Sequence, residues 1–144
     1  MANYNPSWKT EVGINNVASY QVSGRPFATG SIAPGTASVE IAFPYVTRWF
    51  QVINKCGNPL KVAFSHEGLN VEGTGSENYY LTVEASASTG YGKSEVYEMK
   101  VSSLWCVTSG TVLDGNNDFN VVAGLTTIEA SRTESNFTGS YLGV

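Results

Sequence analysis

An all-β fold, a single jelly-roll sandwich of two antiparallel sheets with about eight strands, is what this 144-residue sequence predicts. Three observations predict it. Short runs rich in β-branched and aromatic residues recur along most of the chain. Each run is bounded by Gly, Pro, Asn, Asp or Ser, the residues that turns demand. No segment of useful length carries a helical period, and no internal repeat is present.

Residues 1–35 read as an irregular N-terminal arm, because Asn3, Pro6, Gly13, Asn15, Asn16, Gly24, Pro26, Gly30, Pro34 and Gly35 interrupt any longer element. Residues 20–22 are the one short edge strand expected there. The jelly-roll domain then runs from 36 to 144. In 38–43, Val39, Ile41 and Phe43 alternate with Ser38, Glu40 and Ala42 and give one apolar face, and Pro44 stops the strand. In 49–53 both faces are apolar, Trp49 and Ile53 on one and Phe50 and Val52 on the other. That strand is expected to be covered on two sides. Cys56-Gly57-Asn58-Pro59 is a turn, followed by the alternating strand 60–64. Further strands are expected at 79–83, 95–101, 104–108 and 119–123, with long Gly- and Ser-rich loops at 66–78 and 84–94. Residues 114–118 form a polar turn. An immunoglobulin-like sandwich is the alternative, but Trp49 and Trp105 do not give the Cys–Trp–Cys arrangement expected of it.

A chain of this length buries about 68–70% of its unfolded surface and supports one domain without metals or disulfides. Only 14% of residues are charged, so the surface is dominated by Ser, Thr, Asn and Gly and is weakly defended against self-association. The net charge is −4 and there is no Lys/Arg run, which argues against direct nucleic-acid binding. No apolar stretch approaches the roughly 20 residues that span a bilayer. Residues 1–8 lack the pattern of a signal peptide, so a cytosol-like site of synthesis is expected. Cys56 and Cys106 are then expected to be buried, reduced thiols.

Chemistry finds little support. His66 is the only histidine, too few ligands for a cupin-type metal site, and no Gly-x-Ser-x-Gly elbow accompanies it. It reads as a surface or loop-anchoring residue. Glu40, Glu95 and Glu98 have the spacing of solvated strand faces rather than of a glycosidase pair. The 114–118 turn lacks the ligand spacing of a calcium loop. Asn136 heads a glycosylation sequon that has no use without secretion. No catalytic residue, cofactor or metal is therefore expected, and the protein is read as a non-enzyme. Most aromatics fall at inward positions: Phe43, Phe64, Tyr97 and Phe119. Trp8 in the arm, His66 at a strand end and Tyr91 in a Ser/Gly loop are the candidate contact residues.

The wording of three stretches goes further. Residues 43–54 (Phe-Pro-Tyr-Val-Thr-Arg-Trp-Phe-Gln-Val-Ile-Asn), 58–65 (Asn-Pro-Leu-Lys-Val-Ala-Phe-Ser) and 119–128 (Phe-Asn-Val-Val-Ala-Gly-Leu-Thr-Thr-Ile) resemble the single jelly-roll capsid proteins of large icosahedral double-stranded DNA viruses. The nearest sense is the vertex, or penton, protein of the chlorella-virus type. The resemblance covers 39–128 and implies a homopentamer closing each fivefold vertex. It further implies contacts with the major capsid protein and other minor capsid proteins, and residence in the virion after synthesis in the host cytoplasm. The alternative function is a carbohydrate- or receptor-binding β-sandwich, lectin-like or the head of a fibre.

Overall fold

The computed structural model describes residues 24–33, 37–71, 78–86, 90–109 and 118–132. Trp8, the short run 20–22, the turn residues 114–117 and Asn136 lie outside them. Among the described residues there are eight strands: β1 (Arg25–Ala28), β2 (Val39–Ala42), β3 (Tyr45–Asn54), β4 (Leu60–Ala63), β5 (Tyr80–Val83), β6 (Gly92–Lys93), β7 (Ser103–Thr108) and β8 (Phe119–Glu129). They form two four-stranded sheets, ordered β1-β8-β3-β6 and β2-β7-β4-β5.

The pairings are nested. β1 pairs with β8, β2 with β7, β3 with β6 and β4 with β5, each antiparallel. The chain is thus one long two-stranded ribbon bent between β4 and β5. Rolling that ribbon brings β8 against β3 and β7 against β4, which completes both sheets. This is the jelly roll the alternating runs predict.

Alternation fills the core. Ile41 from β2, Phe50 and Val52 from β3, Leu60 and Val62 from β4, and Leu104 and Cys106 from β7 point inward. Phe119, Val121, Ala123 and Leu125 join them from β8. Phe43 is buried, and Phe64 and Tyr97 pack against this cluster. Phe50 sits at its centre, edge-on to Phe64 at 6.4 Å and tilted against Tyr97 at 5.5 Å. Trp49 and Ile53 project to the opposite face of β3 and are half-buried there. A satellite cluster lies on the outer face of the second sheet. There Leu69, from the 3-10 turn Glu67–Leu69, is buried with Ala63 and Val107 under Tyr80 and Trp105.

Five elements depart from the sequence expectation. β6 lies inside the stretch 84–94 read as a loop. β1 falls inside the stretch read as an irregular arm. Pro26 is tolerated because β1 is an edge strand, and Phe27 alone faces inward, edge-on to Phe43 at 5.0 Å. β3 and β8 each run longer than expected, through Tyr45–Arg48 and Gly124–Glu129 respectively. The strand expected at 95–101 is absent: only Tyr97 pairs, as an isolated bridge to Phe50. The Met99 amide turns back to the Tyr97 carbonyl at 3.1 Å, a two-residue bend that breaks the ladder.

Side chains replace the missing ladder. Near β6 the Ser94 hydroxyl accepts the Val52 amide at 2.9 Å while the Ser94 amide reaches the Val52 carbonyl. Farther along, the buried Thr47 hydroxyl donates to the Met99 carbonyl at 2.6 Å and accepts the Val101 amide at 3.0 Å. Thr47 lies where the β3–β8 register slips. On the other side of that irregularity, buried Thr126 donates its hydroxyl to the Val46 carbonyl at 2.7 Å.

Candidate functional site

The corner after β3 is built around Asn54, a fully buried amide. Its Nδ2 lies 2.9, 3.2 and 2.8 Å from the carbonyl oxygens of Asn58, Val83 and Glu84. Its Oδ1 accepts the Cys56 amide at 2.9 Å. One side chain thus ties the turn after β3 to the end of β5 in the other sheet, and gives three backbone carbonyls there a donor.

Tyr91 is presented beside this corner. Gly92 pairs with Asn54, and a Cβ at Gly92 would run into the Glu84 carbonyl, so only glycine fits. Gly90 has φ +154°, a conformation that L side chains rarely adopt. Two glycine-requiring positions therefore bracket Tyr91 and set its backbone. Tyr91 is 58% exposed, more than any other large apolar residue among those described.

A fixed ion pair neighbours the ring. The Lys55 ammonium is 5.8 Å from the Tyr91 centroid and 3.4 Å from the Asp118 carboxylate. The backbones are joined as well, the Lys55 amide donating to the Asp118 carbonyl at 3.0 Å. The Ser31 hydroxyl bonded to Asp118, with the Lys55 charge beside it, holds that carboxyl below its usual range. Behind the pair, Cys56 is buried, and desolvation with the nearby Asp118 charge pushes its thiol up. Cys106, deep in the core, is pushed up to about 12 by burial. Both are free thiols.

His66 lies elsewhere. It follows the Ala63 end of β4, whereas Tyr91 adjoins the corner that precedes Leu60, so the strand separates them by about 13 Å. The imidazole stands edge-on to Trp105 at 5.2 Å, and the Ser65 hydroxyl accepts the Gly68 amide at 3.1 Å. His66 thereby anchors the turn that carries Leu69 over the satellite cluster. Tyr91 and His66 thus do not come together, and Trp8 is outside the described residues.

The carboxylates do not converge either. Glu40 sits on β2 in one sheet, while Glu95 and Glu98 flank β3 in the other, Glu98 3.4 Å from Arg48. Among the described residues no three His, Cys, Asp or Glu side chains gather as metal ligands. Among the same residues no helix is long and apolar enough to cross a membrane. Lys55, Asp118 and Ser31 carried no signal in the sequence, because 63 positions separate the paired charges. No protein-family model, curated protein or solved structure matches the chain.

Proposed function

We propose that this protein is a structural capsid component, the penton that closes fivefold vertices as a homopentamer and contacts the major capsid protein and other minor capsid proteins. It would be made in the host cytoplasm and reside in the virion, and it would perform no catalysis. The nested ribbon of four strand pairs carries the reading, taken with the wording of 43–54, 58–65 and 119–128. The same β5/β6 side of the sandwich supports it. Val96 and Met99 lie exposed along 95–101, and Val71 and Tyr79 flank the approach to β5. Five copies in a ring need such a side to meet a different side of the next copy, a heterologous contact that closes by symmetry.

The test is location and stoichiometry. Tagged or antibody-labelled protein in purified particles should map to vertices, and mass photometry of the purified chain should show pentamers or monomers that enter shells. Absence from purified particles would overturn the proposal.

A further inference from the structure

The geometry points to a saccharide-binding site at Tyr91, Lys55 and Asp118 that takes the apolar face of a neutral pyranose. It does not depend on the capsid reading. Glycine-requiring neighbours on both sides place the Tyr91 backbone at this corner, and its side chain stands exposed there. A tyrosine has only two χ angles to fix and so loses little conformational entropy on binding, which is why it serves so often as an anchor.

The neighbouring charges fix the class of ligand. Lys55 and Asp118 are neutralised by each other at 3.4 Å, and Ser31 steadies the carboxylate. Together they offer one strong donor and one strong acceptor at an electroneutral spot, the combination that vicinal hydroxyls satisfy. A phosphate or sulfate would meet the Asp118 carboxylate, and the chain as a whole carries −4. A pyranose has C–H groups on one face and hydroxyls around its rim. Stacked about 4 Å from the Tyr91 ring, it brings a rim hydroxyl to the Lys55 ammonium, which stands 5.8 Å from the ring centroid. A side-chain shift of about 1 Å completes the hydrogen bond.

The test is a glycan array probed with the full chain, with each neutral glycan that binds confirmed by saturation-transfer NMR. Tyr91→Ala should weaken binding about tenfold or more, while Tyr91→Trp retains it and His66→Ala, at the far end of β4, leaves it unchanged. Thermal denaturation and mass photometry of each variant are run alongside. Loss in Tyr91→Ala with folding and oligomeric state unchanged supports the site. Absence of any neutral-glycan binding, binding confined to anionic glycans, or binding indifferent to Tyr91→Ala would overturn it. So would a Tyr91→Ala variant whose oligomeric state changes together with its binding, since that result assigns Tyr91 to a subunit contact.

Discussion

Replacing Thr47 with valine tests whether a side chain truly stands in for the missing ladder beside β3. Valine keeps the shape of threonine, so no cavity opens. What disappears is the partner of two backbone groups. The Met99 residue is 41% exposed, so water can take over its carbonyl. Val101 is 7% exposed, so its amide is left buried and unpaired, at about 1–3 kcal/mol. The extra buried methyl returns about 0.8 kcal/mol. A net loss of about 0.2–2 kcal/mol follows, lowering Tm by up to roughly 8 °C. Global stability alone does not discriminate, because Thr47→Ser loses a methyl and about 1 kcal/mol while keeping both hydrogen bonds. Amide hydrogen exchange does. In Thr47→Val the Val101 amide should exchange roughly 5–30-fold faster relative to Ala123, which is paired on both sides in mid-sheet. In Thr47→Ser the two amides should change together. Equal behaviour of Val101 in both variants would refute the reasoning.

Other consequences are checked more simply. Asn54→Asp replaces the Nδ2 donors by carboxylate oxygens facing three carbonyls, and should destabilise by about 3 kcal/mol or more in chemical denaturation. Gly92→Ala should cost about 1–3 kcal/mol and reduce amide protection at Lys93 and Ser94, since the Glu84 carbonyl has to yield. Asp118 has its carboxyl pKa lowered on folding, so its contribution is present above the unfolded value of about 4 and is lost as pH falls through the folded value. The stability gap between the wild type and Asp118→Asn should therefore be open at neutral pH and close in acid, followed by urea titration. Cys106 and Cys56, both buried with raised pKa values, should resist iodoacetamide at pH 8 until the chain unfolds, as read by mass spectrometry.

The parts of the fold legible in the sequence are those where one strand face is apolar and the other polar. β2 and β4 come closest to this pattern, and their inward residues can be named from it, whereas β7 carries Trp105 and Val107 on its outer face as well. β1 escapes because Pro26 and a single inward Phe27 leave no period to detect. β8 reads as ending at Ala123 because Gly124 follows, yet its ladder continues through Gly124 and Leu125 against both β1 and β3. The expected strand at 95–101 has the right composition and fails for lack of a second neighbour. With β3 on one side only, the chain bends at Glu98 and leaves Val96 and Met99 in solvent. At the site, Tyr91 is legible because an aromatic among Gly and Ser has no core to enter. Lys55 and Asp118 are not, because their meeting is a property of the nested pairing and not of either neighbourhood.

The broken edge beside β3 bears on how copies of this protein can meet. A regular strand there would offer a row of free amides and carbonyls, an open template for edge-to-edge pairing. Instead Ser94, Tyr97 and the residues around Thr47 use up those groups one at a time, at 2.6–3.1 Å, and the chain bends between them. Backbone pairing with a neighbour is thereby blocked on this side, while side chains remain presented: Tyr91, Val96 and Met99 outward, with Lys93, Glu95 and Glu98 among them. Contacts made through side chains have a defined geometry and a finite extent, whereas strand addition propagates without limit. For a protein proposed to stop at five copies, that distinction matters more than the total apolar area. Freeing the Val52 and Val101 amides, by replacing Ser94 and Thr47 with valine together, should convert closed assembly into open-ended aggregation visible by light scattering. Unchanged scattering at equal unfolded fraction would show that the edge was never the control.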